Sequence, residues 1–151
     1  MSTVDTTPAS TLTPRQVKTV FVGLMVSLLL SSLDTTIVAT ALPTIAGNLG
    51  GLEHIAWVAT AYLLTSTAAT PLFGKLSDLY GRKALFRAAI VIFLAGSLLA
   101  GASQSFFQLV MARGVQGIGA GGLMAMSFVI IGDIVPPRQR GRYVGFLTSV
   151  F

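Results

Sequence analysis

Residues 55–74, 88–112 and 114–132 contain no charged side chain, and between Lys18 and Glu53 the only charge is Asp34. A hydrocarbon layer ~30 Å thick is crossed by about 20 apolar residues at 1.5 Å of helical rise each. Backbone amides in that layer must find partners within the segment, which an α-helix provides alone. These blocks predict an all-α integral membrane fold. Its four transmembrane helices fall at about 18–41, 54–73, 84–102 and 106–132, with an incomplete fifth at 143–151. Only 10% of the residues are charged, against roughly 25% in a soluble domain, too few to cover a water-facing surface. The opening residues 1–16, rich in Ser, Thr and Pro as far as Thr13, read as a disordered cytoplasmic tail. Arg15, Lys18, the apolar run 19–33 and Ala39-Thr40-Ala41 mimic a secretory signal. Asp34 interrupts that pattern and three more spans follow, so the first block is read as a span.

Nine of the ten Lys and Arg residues lie before the first span or in or beside the connections, and they are distributed unevenly. Arg15 and Lys18 precede the first span. Lys75, Arg82, Lys83 and Arg87 lie in or beside the second connection, and Arg138, Arg140 and Arg142 in the fourth. The connections at 42–53 and 103–105 have none. Basic residues are retained on the cytoplasmic side, which predicts a multi-pass protein of the cell membrane with its amino terminus inside. The formal charge of +5 then reflects topology and implies no nucleic-acid partner. Trp57 and Tyr62 near the outer end of the second span, and Tyr80 and Tyr143 near the inner face, suit interfacial aromatics.

Two ionisable residues fall inside spans, where each costs about 2.5–3.5 kcal/mol on insertion scales. Asp34 lies 16 residues after Lys18, or ~24 Å along a helix. Arg113 lies ~20 Å from the inner face by the same rise. Similar depth lets them face one another as a pair in a polar cavity, with protonation of Asp34 competing against Arg113. In the alternative, Arg113 snorkels outward while Asp34 bonds to Thr35, Thr36 or backbone.

The fourth span reads Arg113-Gly-Val-Gln-Gly-Ile-Gly-Ala-Gly-Gly122. Gly117 and Gly121 form a small-xxx-small pair that lets helix backbones approach closely. Gln116 lies near that face and can bond to a neighbouring helix or a bound molecule. Gly117, Gly119 and Gly122 also satisfy G-x-G-x-x-G, but a dinucleotide site needs a preceding strand and an acid about 20 residues on. The stretch is inside an apolar span and Asp133 follows Gly122 by only 11 residues. No cofactor is therefore expected. His54 is the single histidine and there is no cysteine, so no metal site is expected. No nucleophile–base arrangement stands out, and the chain is not read as an enzyme.

The second connection, Gly74-Lys-Leu-Ser-Asp-Leu-Tyr-Gly-Arg-Lys83, is at minimum a tight basic turn. Asp78 there can pair with Arg82 or cap the next helix. Its pattern at Gly74, Leu76, Asp78, Gly81, Arg82 and Lys83 resembles the signature loop of the major facilitator superfamily. Leu33-Asp34-Thr35-Thr36-Ile37-Val38 with Ala41-Leu42-Pro43 is similar to the first-helix motif of its fourteen-helix drug/proton antiporters. Arg113-x-x-Gln116-Gly117-x-Gly119 resembles the fourth-helix motif linked there to proton coupling. The stretch from Asp133 to Gly141 resembles that subfamily's next cytoplasmic loop. The resemblance covers residues 15–151.

It implies a partial amino-terminal transmembrane bundle over 17–151, belonging to a rocking transporter that exchanges protons for small lipophilic or cationic drugs. Asp34, Arg113 and Gln116 would line its proton and substrate cavity. Gly74, Asp78, Gly81, Arg82 and Lys83 would form its inner-gate loop, joined by Arg138, Arg140 or Arg142. The chain stops at Phe151, before the family's fifth-helix glycine–proline motif. Facilitator folds bind substrate between two bundles, so its partners are the bilayer and the missing carboxy-terminal half, and the fragment alone is expected to be inactive. The alternatives are a facilitator for a metabolite and a truncated remnant that transports nothing.

Overall fold

The computed structural model describes residues 13–150. Five α-helices follow one another: α1 Pro14–Asn48, α2 Ala56–Tyr80, α3 Arg82–Gly101, α4 Phe106–Ile134 and α5 Pro137–Thr148. A short 3-10 turn at Leu52–His54 joins α1 to α2. No strand occurs among the described residues. The first four helices are each long and apolar enough to cross a membrane.

Each helix runs past the bounds set by the apolar blocks at one end or both. Of the expected tail, residues 1–12 lie outside the described residues. Residues 14–16 already belong to α1, because Thr13 and Gln16 close a capping box. The Thr13 amide donates to Gln16 Oε1 at 2.8 Å, and the Gln16 amide to Thr13 Oγ1 at 3.4 Å, satisfying donors that a helix start leaves open. At its far end α1 passes through Pro43 to Asn48; spanning helices tolerate an interior proline that would end many soluble ones. The helix α2 carries Gly74 to Tyr80 in its last turns, so the expected second connection shrinks to Gly81 alone. At φ 86° Gly81 occupies backbone space that side chains disfavour. The helix α5 starts at Pro137, six residues before Tyr143. Proline suits the first helical turn, where its missing N–H would be unpaired anyway.

The central element is α4. Its most apolar stretch is 56% buried, against 17% in each of the other three. Phe73 of α2, Phe93 of α3 and Leu123 and Met126 of α4 form one apolar core. A second joins Leu24 and Leu28 of α1 to Ile131, Val135 and Leu147. Outward-facing Leu64, Leu72, Leu79 and Leu98 are exposed, as expected where hydrocarbon replaces water.

Candidate functional site

Glycines bring α4 close enough to its neighbours to bury polar groups between them. A methyl group on Gly117 would sit 2.4 Å from the Tyr62 carbonyl oxygen, and one on Gly121 2.2 Å from that of Ser66. This is the α2-facing side that the GxxxG spacing marks. A second glycine face meets α3. A methyl group on Gly119 would lie 2.4 Å from the Phe93 nitrogen, and one on Gly96 2.5 Å from the Gln116 nitrogen. The G-x-G-x-x-G stretch is thus helix-packing surface on two sides, inside α4. Nothing in the spacing of Gly96 on α3 distinguishes it; its role depends on which helix lies opposite.

Within this tight region Arg113 Nη1 donates to Asp34 Oδ2 at 2.7 Å and to Gln116 Oε1 at 2.7 Å. The side chain of Arg113 is 3% exposed and that of Asp34 17%. Of the two arrangements open in the sequence, the structure adopts the inward pair. Thr35 and Thr36 do not bond to Asp34; their hydroxyls donate to the carbonyls of Ser31 and Ser32 one turn back, at 2.9 and 3.0 Å. Arg113 Nε and Gln116 Nε2 are buried without a hydrogen-bond partner among the described residues.

Tyr62, expected at the interface, is instead buried beside this pair. Its ring lies 4.4 Å from the Arg113 guanidinium carbon, a cation–π contact strengthened by exclusion of water. Its hydroxyl is 3.2 Å from Ser31 Oγ and 3.5 Å from Thr35 Oγ1. An aromatic near a span end has no sequence mark separating an interfacial anchor from an inward clamp. Trp57, by contrast, is exposed. Tyr62, Ser31 and Thr35 also line a groove of about 450 Å³ between α1, α2 and α4, continued by Ser66, Thr70 and Met124. Polar hydroxyls and apolar walls side by side suit a small amphipathic molecule.

A second ionic cluster occupies the far end of the bundle. Arg82 Nη1 is 2.6 Å from Asp78 Oδ1, and Arg82 Nε is 2.9 Å from Asp133 Oδ2 at the end of α4. Arg82 also donates to the hydroxyl of Ser77, which in turn donates to the Gly74 carbonyl. Asp78 therefore takes the pairing role, and α3 has no side-chain cap. Gly74 lies inside α2, with open space where a side chain would begin. Arg140 donates to the carbonyls of Gly132 and Val135, closing the end of α4 beside Asp133. Lys83, Arg138 and Arg142 are exposed and form no ion pair among the described residues. No group of three metal-binding side chains occurs among those residues.

The sequence model of the Major Facilitator Superfamily matches residues 24–151. The chain belongs to that superfamily. It is 44% identical over 143 residues to Multidrug resistance protein 3 of Bacillus subtilis, an alignment covering 93% of this chain and 28% of that protein. It is 43% identical over 129 residues to the same organism's Multidrug transporter protein MdtP, covering 85% and 24% respectively. It is also 40% identical over 147 residues to the Vacuolar membrane amino acid uptake transporter fnx2 of Schizosaccharomyces pombe, covering 97% and 26%. The chain thus spans about a quarter of the length of these relatives. Superfamily membership, with four helices of spanning length, makes this a multi-pass membrane protein of a transporter family, not an enzyme family.

Proposed function

We propose that these residues serve in proton-coupled efflux of small lipophilic or cationic compounds, as the amino-terminal part of a drug/proton antiporter. The observation that carries this reading is the 2.7 Å pair of Asp34 with the buried Arg113, joined through Tyr62 and Thr35 to the wall of the neighbouring groove. An isolated carboxylate in that setting is costly, and it has two means of relief: the arginine or a proton. When a proton binds Asp34, the pair loosens while the positive charge of Arg113 stays on the Tyr62 ring and Gln116 Oε1. A cation entering the groove favours the ionised carboxylate and expels the proton. One carboxylate thereby exchanges one charge for the other. The similarity to Multidrug resistance protein 3 and Multidrug transporter protein MdtP of Bacillus subtilis supports the choice of cargo.

In this reading the amino terminus is cytoplasmic, the protein resides in the cell membrane, and the cluster of Asp78, Arg82 and Asp133 closes the inner gate against a second bundle. Facilitator folds bind between two such bundles, so the test of this reading uses the full-length protein. Uptake of an amino acid is the second reading, favoured by the relative fnx2, which matches 97% of the chain.

The test loads inverted vesicles containing the full-length protein with a proton gradient and follows accumulation of ethidium and, separately, labelled amino acids. Gradient-driven ethidium movement that Asp34→Asn abolishes, with the variant still inserted, is the expected result. Ethidium movement unaffected by Asp34→Asn removes the proton-site assignment. Gradient-driven amino acid movement without ethidium movement favours the second reading.

A further inference from the structure

We propose that Tyr62 is the positioning residue that couples occupancy of the groove to the Asp34–Arg113 pair. This rests on the antiporter reading and deepens it. Tyr62 is 8% exposed, yet its two ends touch different parts of the site. The ring packs on the Arg113 guanidinium at 4.4 Å, and the hydroxyl meets Ser31 and Thr35 on the groove wall. Ser31 and Thr35 are themselves joined, since the Thr35 hydroxyl donates to the Ser31 carbonyl at 2.9 Å. Thr35 is the next residue after Asp34. One rigid ring therefore links the groove wall, the turn of α1 bearing the carboxylate, and the arginine that neutralises it.

Cargo in the groove competes for the hydroxyls of Ser31, Thr35 and Tyr62. Breaking the Tyr62 hydroxyl contacts frees the ring to turn, and a cation–π contact depends on the cation lying over the ring face. Arg113 then rebalances between Tyr62, Gln116 and Asp34, changing the hold on the carboxylate proton. Among the described residues, Arg113 of α4 is the charged group paired with Asp34 and Tyr62 of α2 the titratable group packed on that arginine. The proton leaves Asp34 for water and no other bond is made or broken. The hydroxyl of Tyr62 supplies the link to the groove, while the ring supplies the hold on Arg113. Each can be removed separately.

The experiment uses full-length protein in nanodiscs, with ethidium, a cation whose amino groups can donate hydrogen bonds, as the probe. Bound cation and protons released per cation are measured together, the latter with a pH-indicator dye in weak buffer. Tyr62→Phe keeps the ring and removes the hydroxyl: at a cation concentration that saturates the variant, protons released per bound cation fall by at least half. Tyr62→Leu removes both and weakens binding about tenfold or more. A Tyr62→Phe protein that releases protons like wild type, while Asp34→Asn releases none, overturns the inference and leaves the antiporter reading intact. Wild-type protein that binds the cation and releases no proton overturns both. Because Phe keeps the shape of the ring, a folding defect does not decide the outcome.

Discussion

Arg113 and Arg82 are both arginines paired with aspartates around α4, but they are held in opposite environments. Arg113 is enclosed by α1, α2 and α4 at 3% exposure; Arg82 is 34% exposed, with Asp78 at 65% and Asp133 at 51%. In the enclosed pair, removing one partner strands a charge that has lost its water. In the open cluster, water and salt replace whatever contact is lost. The same chemistry is therefore strongly coupled to the fold at one site and weakly at the other. A buried pair responds to a single proton, whereas an exposed cluster can exchange partners at little cost. These are the properties expected of a proton site and of a surface that repeatedly makes and breaks contact.

Four single variants and one double variant test that contrast, with the single variants taken from the largest expected effect to the smallest. Arg113→Leu leaves Asp34 unpaired and should cost about 3–5 kcal/mol, read as a fall in thermal unfolding temperature in detergent. The double variant Asp34→Asn with Arg113→Leu should recover much of that loss, and a double variant no better than the single one would break the argument. Gly121→Val tests the close approach of α4 and α2 that makes the enclosure possible. Its added side chain meets the Ser66 carbonyl, and overpacking of this kind costs about 1–3 kcal/mol. An unchanged melting temperature would mean that α4 can shift away.

Asp133→Asn should cost about 0.2–1 kcal/mol, with the loss fading at high salt; the Arg113→Leu penalty should persist there. Equal salt sensitivity at both sites would erase the distinction. Lys83→Ala should leave stability within about 0.5 kcal/mol of wild type, as for other surface substitutions. A larger loss would reveal a contact that the structure does not contain.

Legibility in the sequence followed the same division. The open cluster lies largely within one short stretch, from Gly74 to Lys83, and its i,i+4 spacing from Asp78 to Arg82 could be read along the chain. Its link to Asp133 spans 51 residues and could not. At the enclosed site, matched depths suggested that Asp34 and Arg113 face one another, but left the outward alternative open. Depth is a coordinate along a helix, whereas pairing also needs the rotation of each helix about its axis. Tyr62 marks that limit: its place near the end of α2 suited an interfacial ring, and only the facing of α2 toward α4 turns it onto Arg113.

The sequence by itself determined an all-α chain of four spanning helices and the superfamily to which it belongs. Uncharged length and short loop motifs are local properties, readable without knowing what lies opposite. Tertiary structure decided that α4 is the buried hub, that its glycines serve two neighbours, and that Arg113 turns inward to Asp34, Gln116 and Tyr62. Those outcomes depend on which side chains meet across helices up to 79 residues apart in the chain, and packing in three dimensions sets that.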